Sequence, residues 1–482
     1  MGRAAPTPRD RTRPASGPGG TGSRLRRGAA ASLAAAVLAV VAGAAPAGAS
    51  AQQEGEGGDE TLAVRTALER NRHALTMEDG RLTGPGADFL LREAAAARHL
   101  LVGETHGVAE APALVADLFR RLRDDGYRHL AVEIGPVQAR RLNQVLSGSD
   151  PMAGLRAFLG DHWPGVPFYS WREEAELLAA AVEAAGGDRA SGRAAAAAEG
   201  GEGRPRGEVG AGAGPMVLWG LDYDVLGDRW PLHRLREIAP DAGARAAADR
   251  AVALADSLLR RATEAGDPSG VMMFSGPDSV WRALREAYDP AQDSEADLIL
   301  EQLEATARIN EAWTSGRRLA SNRLRVELIK RNFHRQADRA APGAKVLVKM
   351  GAFHTMRGRT PNGTWDIGNH LQELAAAGGE ATFHVAVLGG PDGRKGTLDP
   401  RDWGVREVPT VMAGGDWAKP LAAALLEEGW TVFDLRPLRR LSSAGRLEDL
   451  PSRVERIVWG HDALVVIRNS TAASPVEVDR GR

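Results

Sequence analysis

The sequence contains no cysteine among its 482 residues. Disulfide bonds, thiolate nucleophiles, zinc–cysteine sites and iron–sulfur clusters are therefore excluded. An excess of one charge is also lacking, because the sequence has 61 basic and 63 acidic residues and a net charge of −2. This balance gives no support to a nucleic-acid partner. Long apolar runs are lacking after the N-terminal region, so no later segment is expected to span a membrane.

The one long apolar run covers residues 28–52 and follows three arginines between residues 24 and 27. It ends in small residues, with cleavage patterns that close at Ala49 and Ala51. This order is typical of a signal peptide, although the run nearly reaches the length of an uncleaved anchor. We expect a cleavable N-terminal signal and export to the periplasm or the cell exterior, with no other membrane contact.

Beyond this region, short apolar runs alternate with stretches of helical periodicity. The expected strands are 99–104, 129–135, 216–224, 345–354, 382–390, 431–438 and 463–469, and the expected helices include 62–75, 111–125, 138–146 and 170–185. A strand, a helix and a strand within 99–135 predict a parallel βαβ unit. The sequence therefore favours an α/β fold with a mostly parallel sheet flanked by helices.

The predicted division of the chain follows from these patterns and from composition. It comprises a signal peptide at 1–51, a linker at 52–61, the first part of an α/β domain at 62–185, a low-complexity insertion at 186–214, a strand-bearing stretch at 215–240, an inserted helical subdomain at 241–340 and the C-terminal part of the α/β domain at 341–475.

Polar residues follow four of the expected strands at the point where each apolar run ends. They are Glu104 with His106, then Glu133, then Asp222 with Asp224, and finally His354. Taken singly, each is equally explained as a solvated turn residue or a helix cap. The carboxyl ends of parallel strands meet at one edge of the sheet, however, so these side chains are expected to converge. Together they are typical of a hydrolytic or metal-binding site.

Motifs for several other enzyme classes are missing. The sequence has no GxSxG nucleophile elbow, no HExxH, no phosphate-binding Walker A loop and no EF-hand loop. A serine-triad hydrolase is thus unsupported. In the helical stretch 322–333, Arg325 and Asn332 lie seven residues apart and share a face, which spacing alone explains as a surface stripe.

The order of these motifs resembles the erythromycin esterase family and its ChaN-like and Tiki-like relatives over roughly residues 95–390. The residues that carry the resemblance are Gly103, Glu104, His106, Glu133, Asp222, Arg325, Asn332 and His354. It implies a mixed central sheet with an appended helical region. In the esterase branch, histidine and glutamate activate water against a lactone without metal. In the Tiki-like branch a divalent metal supports peptide cleavage, and in the ChaN-like branch the protein binds haem.

The sequence departs from the macrolide esterases in one respect. Only Thr105 separates Glu104 from His106, where those enzymes have two residues. This spacing and the export signal place the chain nearer the ChaN-like and Tiki-like branches.

The first functional hypothesis is hydrolysis of an ester, lactone or amide bond in a small molecule or peptide. His106 would act as general base, Glu133 would orient it, and His354 would polarise the carbonyl or protonate the leaving group. Arg325 would hold the oxyanion. Asp222, Tyr223 and Asn332 would bind the substrate. In a metal-assisted version, Glu104, His106, Glu133 and His354 would bind zinc or manganese.

The alternative hypothesis is a non-enzymatic protein that binds haem or another planar ligand. Tyr223 or Met350 would then be the axial ligand. The sequence leaves the substrate, the metal dependence and the oligomeric state open.

Overall fold

The computed structural model describes residues 58–190, 216–399, 403–447 and 450–478. The predicted signal peptide 1–51, most of the predicted linker and residues 191–214 of the predicted insertion lie outside these ranges. Within them, no helix combines the length and the apolar character needed to cross a bilayer.

The described residues contain eleven strands. They are β1 (Arg72–Glu78), β2 (Arg81–Thr83), β3 (His99–Glu104), β4 (Tyr127–Val132), β5 (Leu218–Gly220), β6 (Lys345–Gly351), β7 (Thr382–Gly389), β8 (Arg394–Asp399), β9 (Gly404–Pro409), β10 (Trp430–Asp434) and β11 (Ala463–Ile467). Nine of them form one sheet in the order β2-β1-β10-β11-β7-β3-β6-β4-β5, and β8 and β9 form a separate antiparallel pair. The six strands from β11 to β5 are parallel, and β10, β1 and β2 continue the sheet antiparallel. The predicted α/β fold with a mostly parallel, mixed sheet is confirmed.

Seventeen α-helices accompany these strands in the described ranges. They are α1 (Gly58–Arg70), α2 (Pro85–Ala96), α3 (Glu110–Arg121), α4 (Pro136–Leu146), α5 (Pro151–Asp161), α6 (Arg172–Ala190), α7 (Arg229–Glu237), α8 (Ala242–Ala265), α9 (Met272–Ser275), α10 (Asp278–Tyr288), α11 (Glu295–Thr314), α12 (Arg318–Ala337), α13 (Ala352–Thr355), α14 (Ile367–Ala377), α15 (Lys419–Ala423), α16 (Arg436–Ser443) and α17 (Ser452–Gly460). Between β5 and β6 the chain forms only helices and turns, and α6 extends five residues into the predicted 186–214 insertion.

The central strands are apolar along their whole length because both faces of the sheet are covered. In β3, Leu100 and Val102 face the main core cluster, whereas Leu101 faces a second cluster that includes Ile329 and Leu371 of α12 and α14. This alternation places every second residue of a strand on the same side. The side chains at the strand ends are therefore fixed by packing beneath them.

The stretch 62–75 is only partly the helix that its periodicity predicts. α1 ends at Arg70, and Arg72 already pairs with Phe433 of β10 in an antiparallel register. Non-local pairing overrides the local helical pattern here. The predicted strands 216–224 and 345–354 are also too long, since β5 ends at Gly220 and β6 gives way at Ala352 to the short helix α13.

Strand β5 is an edge strand whose free backbone groups are bonded by amide side chains. Asn143 of α4 donates to the carbonyl of Leu218 (2.9 Å), and Gln336 of α12 donates to that of Gly220 (2.8 Å). Asn332 donates to the carbonyl of Leu221 (2.9 Å). Asn332 is thus buried at the edge of the sheet, and its predicted substrate-binding role stays a prediction.

Candidate active site

Six polar side chains meet at the carboxyl ends of four neighbouring parallel strands. Glu104 ends β3, His106 follows it, Glu133 follows β4, Asp222 follows β5, His354 follows β6, and Arg325 is supplied by α12. We call these six residues the polar cluster. Five are buried and the sixth, Arg325, leaves only 12% of its side chain exposed.

Glu133 is the centre of the polar cluster. Its Oε1 accepts a hydrogen bond from Nη2 of Arg325 (2.7 Å), and its Oε2 accepts one from the backbone N–H of Gly351 (2.6 Å). Nε2 of His106 lies 3.3 Å from Oε2, and Nε2 of His354 lies 3.6 Å from Oε1. Gly351 permits this approach, because a Cβ there would stand 3.0 Å from Nε2 of His106. Burial raises the pKa of Glu133, but the positive charges around it outweigh burial and hold the pKa well below its usual range.

His106 lies between two carboxylates and under an aromatic ring. Its Nδ1 bonds to Oε1 of Glu104 (3.1 Å), and its ring stacks on Phe168 with centroids 4.1 Å apart. Phe168 is held there with a φ of +65°, a conformation that costs a non-glycine residue roughly 1–2 kcal/mol. Burial lowers the pKa of His106, but Glu133 and Glu104 together raise it to about 9. The ring is therefore an imidazolium at neutral pH.

His354 is oriented by a carboxylate that the sequence analysis missed. Its Nδ1 bonds to Oδ2 of Asp366 (2.9 Å), and Asp366 also caps α14 by accepting from the backbone N–H of Ile367. Burial lowers the pKa of His354 and Asp366 raises it, with a net rise. Nε2 of His354 makes no hydrogen bond among the described residues, because 3.6 Å to Glu133 exceeds bonding distance. It is the ring nitrogen of the cluster that is available to a ligand.

Arg325 is clamped against Asp222 and Tyr223. Its Nε donates to Oδ1 of Asp222 (2.9 Å), and its guanidinium lies 5.0 Å from the centroid of the Tyr223 ring. Asp222 is 2% exposed, so it positions the arginine rather than facing solvent. Nη1 of Arg325 has no hydrogen-bond partner in the described part of the chain. A pocket of about 20 Å³, lined by Glu133, Phe168 and these three residues, opens here and has room for about one water molecule.

A buried lysine lies behind the cluster. Nζ of Lys349 bonds to Oε1 of Glu104 (2.6 Å) and to Glu174 of α6, and only 1% of Lys349 is exposed. Burial raises the pKa of Glu104, but Lys349 and His106 outweigh it and lower the pKa to about 2. Burial instead dominates at Glu174 and raises its pKa to about 8. We call Lys349, Glu104 and Glu174 the lysine triad.

The predicted metal set does not fit this arrangement. N–H groups of Arg325 and Gly351 already bond the two oxygens of Glu133, and both ring nitrogens of His106 face carboxylates. In the part of the chain that the structure describes, no three His, Asp or Glu side chains are grouped for a metal ion. We therefore assign no part of the mechanism to zinc or manganese.

The two predicted axial haem ligands are both buried. Met350 is fully buried in the apolar cluster between the sheet and α12, on the face away from Glu104, so its assignment is wrong. Tyr223 is 5% exposed and its ring packs beneath Arg325.

We expect the charge on His106 to make stability fall at alkaline pH. The raised pKa means that its contribution is complete below pH 6.5 and is lost as pH rises through about 9. The loss is about 3 kcal/mol in the free energy of unfolding. Urea unfolding of the wild type and His106→Gln at pH 6, 8 and 9.5 measures this loss, because glutamine cannot carry the charge of the imidazolium. His370→Gln, at a partly exposed histidine, is the control and should show the same dependence of the unfolding free energy on pH as the wild type. If His106→Gln also shows that dependence, the alkaline loss does not come from His106.

The fold and the polar cluster define an α/β protein whose histidines, carboxylates and arginine converge at the carboxyl edge of a mixed sheet. A mutant of the erythromycin esterase EreC in its open conformation has a similar fold, with a TM-score of 0.54 and 17% identity over 84% of this chain and 100% of the other. Weaker similarity is found to a Bacillus cereus protein (TM-score 0.49, 14% identity, 86% of this chain and 99% of that one) and a succinoglycan biosynthesis protein (0.49, 12%, 88% and 100%). No family model and no curated protein matches the sequence.

Proposed function

We propose that the protein is a hydrolase that cleaves an ester, lactone or amide bond in a small molecule or peptide. The observation that carries this proposal is the His354–Asp366 pair, whose available Nε2 lies 3.6 Å from the same Glu133 oxygen that Arg325 bonds through Nη2. A base next to a fixed cation is what attack of water on a carbonyl requires. The fold shared with an erythromycin esterase supports the same class of reaction.

The geometry favours His354 rather than His106 as the general base. Both ring nitrogens of His106 face carboxylates, so it has no lone pair for a water molecule. His354 has its Nδ1–H directed to Asp366, which leaves Nε2 as the acceptor in the neutral ring. Because its pKa is raised, activity should increase with pH as the ring loses its proton.

The reaction then proceeds through a tetrahedral intermediate. Water attacks the carbonyl carbon and transfers a proton to Nε2 of His354. Nη1 of Arg325 donates to the oxyanion that forms. The carbon–oxygen or carbon–nitrogen bond breaks as the leaving atom takes the proton back from Nε2. Glu133 stabilises the imidazolium form of His354 during this cycle, and His106 holds Glu133 in place.

Replacing His354 by alanine is expected to reduce hydrolysis by about 10²–10⁴-fold, the usual contribution of general acid–base catalysis. Asp366→Asn should lower kcat and change the pH profile, because it no longer holds the Nδ1–H tautomer. A panel of p-nitrophenyl esters, a macrolide lactone and peptide amides, each with and without a chelator, provides the measurement.

His370→Ala is the matched control, because this histidine lies on α14 and pairs with His334 outside the polar cluster (2.8 Å between the Nε2 atoms). It should retain full activity. If an active wild type loses nothing on H354A substitution, the assigned base is wrong. If no substrate in the panel is turned over, the proposed activity fails. Loss of activity in the chelator would restore the metal-assisted alternative.

A further inference from the structure

A second cavity lies near β5, between helices α4, α7, α11 and α12, and shares no lining residue with the polar cluster. Its volume is about 320 Å³. Five arginines line it, namely Arg140, Arg141, Arg234, Arg335 and Arg339, against three glutamates, Glu237, Glu295 and Glu301. We call it the arginine pocket.

Two of the five arginines form hydrogen-bonded ion pairs with all three glutamates. Arg234 donates to Glu295 (2.8 Å from Nε to Oε1) and to Glu237 (2.9 Å), and Arg335 donates to Glu301 (2.9 Å). All three carboxylates of the wall thus already have an arginine partner. The lining thus carries more positive charge than it neutralises.

Arg140 is the most informative of the remaining arginines. It is half-buried, and its guanidinium makes no hydrogen bond and no ion pair among the described residues. Burial lowers its pKa, and Arg339 and Arg234 lower it further against the opposing effect of Glu295. A guanidinium does not lose its proton at neutral pH, so a cation remains here among other cations. An anion in the pocket would relieve this repulsion.

The pocket also has an aromatic and apolar side. Arg141 lies over the ring of Trp230, 4.8 Å from its centroid, and its buried Nε has no hydrogen-bond partner within the described chain. Val137, Leu298 and Ile299 continue the wall. The pocket therefore offers guanidinium donors and an apolar surface together, in a volume at the lower end of the range for ligand sites.

We propose that the arginine pocket binds a small organic anion, in which a phosphate or carboxylate is attached to an apolar, aromatic group. Arginine matches both oxyanions because its planar donors bond two oxygens at once. The oxyanion would lie against Arg140 and Arg339, and the apolar group against Trp230. The site is separate from the polar cluster and does not depend on the proposed hydrolysis.

Calorimetric titration of the full chain with phenyl phosphate, benzoate and inorganic phosphate tests the proposal. The full chain is used because a pocket that another part of the protein occupies would then show no binding of the probes. Phenyl phosphate or benzoate should bind more tightly than inorganic phosphate, and more weakly as salt is added. The preferred probe identifies the oxyanion. Absence of binding by both aromatic probes would overturn the proposal.

Variants assign binding to this pocket. Arg140→Gln should weaken binding of the preferred aromatic probe at least roughly tenfold, as expected for loss of a charged hydrogen-bond donor. Arg140→Lys should be intermediate because it keeps the charge without the planar fork. Trp230→Leu should weaken only the aromatic probes.

Arg260→Gln, at an exposed arginine of α8, and His354→Ala are the controls and should bind like the wild type. Unchanged binding in folded R140Q, with the circular dichroism and Tm of the wild type, would refute the site. If R140Q does not fold, Trp230→Leu decides, because unchanged aromatic binding in that variant would refute it equally.

Discussion

Substituting Glu133 by glutamine should lower the free energy of unfolding by about 3–5 kcal/mol, the usual effect of removing one partner of a buried ion pair. Glutamine keeps the shape of the side chain but removes the charge that faces Arg325, His106 and His354. Arg325 and the His106 imidazolium would stay buried with less compensation. The same variant should lose hydrolytic activity, because Arg325 and His354 are no longer held together. Urea unfolding at pH 7 provides the measurement.

Glu133→Gln has a second, independent consequence. Glu133 is the strongest of the groups that raise the pKa of His106, so the variant should lose part of the alkaline fall in stability. Glu407→Gln removes an exposed carboxylate that pairs with Arg394 at the surface. That control should change stability by only about 0–1 kcal/mol. An E133Q protein as stable as the control would show that Glu133 is not the charge centre of the site.

Replacing Lys349 by methionine should cost a similar amount, about 3–5 kcal/mol. Methionine fits the space but leaves Glu104 with only the His106 imidazolium as counter-charge, and it removes the cation beside Glu174, whose pKa burial already raises to about 8. The pKa of Glu104 should then rise, so the deficit should shrink as the pH falls and this carboxylate takes up a proton. Because Glu104 also holds His106, hydrolytic activity should decrease together with stability.

A double-mutant cycle isolates the lysine triad. Glu174→Gln should cost less in K349M than in the wild type, because the contact with Lys349 is already lost, with a coupling energy of about 1–3 kcal/mol. Lys419→Met is the matched control, since Lys419 is exposed and pairs with Asp416 at the surface. It should stay within about 1 kcal/mol of the wild type. Additive effects of K349M and E174Q would contradict direct contact between the two residues.

The sequence could predict the location of the site because its residues follow apolar runs. Glu104, Glu133 and His354 stand where β3, β4 and β6 end, and parallel strands direct their carboxyl ends to one edge. The antiparallel strands β1 and β10 were harder to predict from the sequence. Their pairing joins residues more than 350 positions apart, and the local pattern around Arg72 continues that of a helix.

The partners within the site could not be predicted in the same way. Lys349 interrupts an apolar strand, and its position opposite Val102 places it on the face that Glu104 shares. This position of Lys349 could be inferred only after the pairing of β3 with β6 was known. Asp366 and Glu174 lie in or next to helices whose sequences show nothing unusual, and only the tertiary packing brings them to His354 and Lys349.

The roles of the histidines also depended on the structure. Sequence order alone suggested His106 as the base, but the protonation state of a histidine depends on how many carboxylates contact it. His106 contacts two, and His354 contacts one at bonding distance. This difference determines which ring keeps a nitrogen for the substrate.

The amide side chains along β5 bear on self-association. A free edge strand is a template onto which another molecule can add a strand and start aggregation. At β5, Asn143 and Gln336 already bond the outward backbone carbonyls, and at the opposite edge β2 is only three residues long. Both edges of the nine-stranded sheet therefore offer few free backbone groups to which a second copy could add a strand.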